Sequence, residues 1–228
     1  MSRSSDAEVS PEPVSPSASS SPAVTADDLD RTVLMAVETL RRVPEDAWRQ
    51  RAGSLEWDRW ETIQHLSDDF FSYAIRQGPR TPFVDRHLPL VWESRRPGGP
   101  ASAFRCDPEA GPDGLLRMLE ATGALLAAIV RTKPPHTRTY HVYGASDPEG
   151  FAAMGVVEAL VHVHDVIDGL GLAWEPPADL CVRVLARLFP DAPDDTEPWP
   201  TLLWATGRGE LPGRPRPATW RWYGAPRA

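Results

Sequence analysis

Between Val156 and Gly171 the chain reads VVEALVHVHDVIDGLG. Set on a helix at about 100° per residue, Glu158, His162 and Asp165 fall on one narrow stripe. Val156, Val157, Leu160, Val161, Val163, Val166 and Ile167 make nearly every other side apolar. A helix apolar on most sides has to be surrounded, so this segment demands other helices packed around it. Glu158 and His162 lie four residues apart and stack one above the other on the same face, about 6 Å apart along the axis. Unpaired polar groups in such a setting cost free energy. Two arrangements relieve that cost: a divalent metal shared by both side chains, the favoured reading, or an internal hydrogen-bonded pair. Asp165 is either the group that orients His162 from behind, as metal-bound histidines usually require, or a surface acid.

Apolar periodicity predicts further helices over Asp27–Val43, Trp57–Gln77, Asp113–Arg131, Pro177–Phe189 and Pro198–Thr206, with the helix of Glu158 running from Pro148 to Gly171. Residues 79–111 are rich in Pro, Gly and Arg and read as a long connection with one short helix; a connection of that length is often functional. Thr137–Tyr143 alternates weakly, as a short strand or an extended loop. Four main helices with one long crossover point to an all-α fold, a four-helix bundle with extra C-terminal helices and an extended tail. Without repeated strand patterns an α/β sheet is not expected.

Residues 1–26, made largely of Ser, Pro, Ala and acid, read as a disordered N-terminal arm, residues 27–213 as one helical domain, and residues 214–228 as a Pro/Arg/Trp-rich tail that covers the domain. The net charge of −8 argues against nucleic acid as a partner. No run of about 20 continuously apolar residues is expected to span a membrane, and the N-terminus lacks a signal-peptide core. Two cysteines, Cys106 and Cys181, without a CxxC spacing, fit ordinary thiols in a cytoplasmic protein. A homodimer is a further expectation.

A catalytic zinc usually takes three protein ligands and keeps one position open. The best third donor is His65, on the second helix in the run ETIQHLSDDF, because bundle interiors hold metals with side chains from facing helices. The wheel places His65 on the polar flank, away from the Trp60–Phe70 face, so a solvated histidine beside Asp68 and Asp69 is the competing reading. His164 and Asp168 form another four-residue pair, read as a surface pair. His87, His136 and His141 sit in loop-like segments without ligand spacing. The phosphate-cradling glycine loops and the GxSxG nucleophile elbow do not occur.

Three stretches together resemble the DinB-like metal-binding superfamily, in the branch of mycothiol-dependent maleylpyruvate isomerase. They are WDRWETIQHL with His65, EALVHVHDVIDGLG with Glu158, His162 and Asp165, and LLWATGRGELPG. The resemblance implies a bundle with a metal in a cleft, held by His65, Glu158 and His162. It also implies zinc as the usual cation, mycothiol or another small thiol as cosubstrate, an electrophilic small molecule as substrate, and transferase or isomerase chemistry. The family's isomerase is expected to carry a further C-terminal domain that brings an arginine to its site, where this chain has only a short tail after Gly207. A metal-binding helical interaction module without catalysis is the alternative.

Overall fold

The computed structural model describes residues 22–227. Most of the expected disordered arm lies outside them, but its last residues are ordered. Val24 is buried, and Thr25 caps the first helix, α1 (Ala26–Leu40), in a reciprocal box with Asp28.

Five more helices follow: α2 (Arg59–Gln77), α3 (Gly111–Thr132), α4 (Pro148–Ile167), α5 (Ala178–Leu188) and α6 (Pro198–Ala205). The fold is all-α, as expected. The helix α4 is the axis of the molecule. A side chain at Gly155 would lie 3.0 Å from Leu29 of α1, 3.1 Å from Leu126 of α3 and 3.5 Å from Phe70 of α2, so three helices close on α4 at one point. Over its most apolar window α4 has a mean hydropathy of 1.4, long and apolar enough by composition to cross a membrane, contrary to the sequence expectation; here that window is 94% buried in the bundle. Its fully buried Phe151, Met154 and Leu160 each contribute about 1.5–3 kcal/mol.

Arg59, the first residue of α2, sets how α2 meets α4. Its guanidinium donates to the carbonyls of Val166 (2.6 Å) and Asp168 (3.0 Å) at the end of α4, and to Ala47 (3.3 Å) in the preceding turn. A cation on the last carbonyls also suits the helix dipole. The start of α2 is thereby fastened to the end of α4, which puts His65, two turns into α2, beside the last turns of α4.

The long connection is more structured than one short helix. It holds a minimal antiparallel pair, β1 (Glu93–Ser94) with β2 (Ala101–Ser102), and a 3-10 turn over Pro108–Ala110. It folds over the polar flank of α2: Asp68 accepts from the backbone of Ala103 and Phe104 (3.1 and 2.7 Å), and Gln64 bonds Phe104 and Cys106. Residues 137–143 form no strand; Thr139 and Ser146 bridge each other, and Tyr140 bonds the Phe83 carbonyl.

The C-terminal third lies across the bundle. Arg183 of α5 makes a two-pronged ion pair with Asp28 of α1 (2.6 and 2.9 Å). Beyond α6 the tail runs as a strap, with Trp222 buried, Tyr223 bonded to Leu188 and Gly224 to Tyr143. Cys106 and Cys181 are both buried free thiols, and burial pushes them up to about 11 and about 12.

Candidate metal centre

The apolar walls of α4 leave the stripe predicted from sequence facing a cavity. His162 is the hub. Its Nε2 lies 3.1 Å from Oε2 of Glu158 and its Nδ1 3.1 Å from Oδ2 of Asp165. Asp165 is held in turn by Arg208, whose Nε reaches both carboxylate oxygens (3.0 and 3.1 Å) and whose Nη2 lies 2.7 Å from Oδ2. The Arg208 guanidinium also donates to the Thr206 carbonyl at 3.0 Å. Asp165 is 3% exposed, which overturns the surface-acid reading. A buried carboxylate needs a partner and here has two.

His65 comes from the other helix to the same place. Its ring centroid is 5.4 Å from that of His162 and 4.7 Å, edge-on, from that of Trp57. Its Nε2 lies 3.1 Å from Asp69, while Nδ1 is enclosed with no partner. The solvated reading therefore fails: the covering connection and Trp57 leave the side chain 21% exposed. Trp57, just ahead of α2, stands over the two histidines, its indole nitrogen tied to the Gly98 carbonyl (3.0 Å). His164 is half-buried with its ring edge-on to Trp199 at 5.9 Å, so the expected surface pair with Asp168 is replaced by aromatic packing.

A cavity of about 280 Å³ opens on this cluster, lined by Trp57, His65, Glu158, His162, Arg208 and Trp220 among others. Arg208 is not among the site residues expected from the sequence, although it sits in the LLWATGRG run. Nothing in a lone Gly-Arg says that it turns inward onto a buried aspartate 43 positions earlier.

Burial and the nearby His162 hold His65 down at about 4, so its imidazole is neutral and keeps a lone pair. Burial alone would lower His162 too, but its hydrogen bonds to Asp165 and Glu158 outweigh that and raise it to about 9. Glu158 is lowered in return: burial works against its charge, and the hydrogen bond to His162 overcomes it. Among the described residues no three His, Cys, Asp or Glu donors are closed around a common point. The reason is local. Glu158 and His162 are bonded to each other and His65 to Asp69, so the donors face one cavity while satisfying neighbours. The residues still suit a cation chemically, because one carboxylate and two imidazoles form a zinc-type set and Nδ1 of His65 lacks any partner.

Fold and site together define an all-α protein with a histidine- and carboxylate-lined cavity at the junction of two helices and a C-terminal strap. No protein-family model matches the chain, and no curated protein matches it. Among solved structures, mycothiol-dependent maleylpyruvate isomerase superposes with a TM-score of 0.52 at 15% identity, over 84% of this chain and 96% of the isomerase chain. A histidine-to-alanine mutant of that isomerase gives 0.53 at 16% identity, over 84% and 96%. At such identity the likeness shows the fold: the chain has the fold of this isomerase. The superposition takes in nearly the whole isomerase chain.

Proposed function

We propose that the protein is a divalent-metal-dependent enzyme, with zinc the fitting cation, that uses a small thiol in a transfer or isomerisation reaction. The observation that carries this is the meeting of His65, Glu158 and His162, from two helices far apart in sequence, on one open cavity. The fold it shares with an isomerase described as mycothiol-dependent supports the thiol.

Zinc bound there would supply Lewis acidity and favour the ionised form of a thiol or water. The chain's own residues do the rest. Arg208 fixes Asp165, and Asp165 fixes the His162 ring through Nδ1, leaving Nε2 directed toward Glu158. Trp57 packs against His65 and restricts its ring. Trp57 and Trp220 give the cavity apolar walls that limit water.

The test is metal uptake followed by chemistry. Zinc titration of the full chain is expected to reach about one ion per chain, and His162→Ala to lose both zinc and thiol-dependent turnover of an electrophilic substrate. A protein that takes up no zinc ends this reading. The closed chain Glu158–His162–Asp165–Arg208 favours one rival, a metal-free binding module, which predicts that outcome.

A further inference from the structure

The helix α2 carries a polar stripe that the metal centre uses only at one end. His65, Asp69, Tyr73 and Arg76 recur at the spacing of a single helix face, and Arg76 stands about 16 Å further along the axis than His65. Arg76 is 7% exposed, and its Nε is enclosed with no partner. Among the described residues its guanidinium makes no hydrogen bond and has no carboxylate within 4.0 Å. What flanks it are rings: Tyr73 at 5.8 Å, and Trp92, from the long connection, at 5.7 Å.

This is an expensive arrangement. A guanidinium keeps its proton, so it cannot escape burial by neutralising. Ring faces return only part of the lost hydration, and the enclosed Nε is left without an acceptor. The groups nearby do not supply the missing anion. His141 is buried, and its Nδ1 accepts from the backbone of Tyr143 (3.2 Å), which leaves its proton on Nε2 as a donor. His87 packs edge-on to Tyr140 at 4.8 Å. Burial, and after it the charge of Arg76, holds both imidazoles below their usual value. Asp68 spends one oxygen on the connection's backbone, and its other oxygen, enclosed without a partner, stays more than 4.0 Å from the guanidinium; Asp69 lies against His65.

We infer that Arg76, between the rings of Tyr73 and Trp92, is the anchor for the carboxylate of a small organic acid. A planar, singly charged carboxylate matches the guanidinium fork. That Arg76 binds a carboxylate does not rest on the function proposed above.

The experiment is calorimetric titration of the metal-free full chain with succinate, and with succinamide as the uncharged control. Wild type is expected to bind succinate and not succinamide. Arg76→Met should weaken binding at least roughly tenfold, and Arg76→Lys, which keeps the charge without the fork, should weaken it less. His162→Ala should bind succinate as wild type does, so failure of the metal reading and failure of this one separate. If Arg76→Met does not fold by circular dichroism, Arg76→Lys and Trp92→Leu carry the comparison. Absence of succinate binding in wild type, or equal binding by wild type and the Arg76 variants, overturns the inference. So does a lowered melting temperature in the variants with no change in succinate affinity, the mark of an arginine that only pins the connection.

Discussion

Asp165 and Arg208 show how one residue acts through another. Neither lies next to the mouth-side nitrogen of His162, yet Asp165 holds the opposite face of the ring and Arg208 holds Asp165. Removing such support from a metal-bound histidine typically costs about 10–100-fold in affinity. On the zinc site proposed above, Asp165→Asn is therefore expected to weaken zinc binding by about that factor while leaving the helices intact. Arg208→Met should act in the same direction and also lower stability by about 3 kcal/mol, because it strands a buried carboxylate. Competition titration against a zinc chelator reads the first effect and urea unfolding the second; equal zinc affinity in all three proteins would refute the positioning role. At this scale the sequence was informative where local spacing carries the signal. The four-residue step from Glu158 to His162 and the three-residue step to Asp165 both produce contacts of 3.1 Å. It was silent where a contact spans the chain, as with Arg208, and misleading at His65, where the wheel saw polar neighbours but not the connection that buries them.

Helix positions were legible because apolar periodicity and Pro or Gly stops are local signals; each predicted helix appears, with ends shifted by a few residues. The connection over residues 79–111 was not, because its order comes from side chains of α2 reaching across to its backbone. Small residues inside helices were also hard to weigh. Gly123 of α3 is one whose reason is purely tertiary: a Cβ there would meet a methyl of Val33 in α1 at 2.7 Å. In an isolated helix Gly→Ala gains about 1 kcal/mol. Here the overpacking penalty of about 1–3 kcal/mol should exceed it. Gly123→Ala is expected to be destabilising alone and much less so in a Val33→Ala background, where the two methyl clashes are gone and only the Cβ at 3.3 Å remains close. A double-mutant cycle in urea measures the coupling, and additive effects would show that α1 and α3 do not meet closely at this point.

On the scale of the whole molecule, the C-terminal third is clamped to the start of the chain, and Asp28 is the clamp. Its carboxylate takes both prongs of Arg183 from α5 while also closing the Thr25 cap of α1. The hydrogen bonds to Arg183, stronger than the opposing burial, hold Asp28 well below the usual carboxylate range. An unfolded Asp titrates near about 3.9. A group whose folded value is depressed adds stability above its unfolded value and loses it as the pH falls below that point. The wild type should therefore carry the full contribution at pH 7 and shed it on acidification below about pH 4. Asp28→Asn should be less stable at pH 7 by about 3 kcal/mol, the usual cost of breaking a buried pair. As the wild type loses its own charge on acidification, the gap between the two proteins should close. Urea unfolding at pH 7, 5 and 3 compares them directly. A gap of constant size across that range would mean that the clamp does not hold through charge, and that the C-terminal strap is fastened by its buried tryptophan and backbone hydrogen bonds instead.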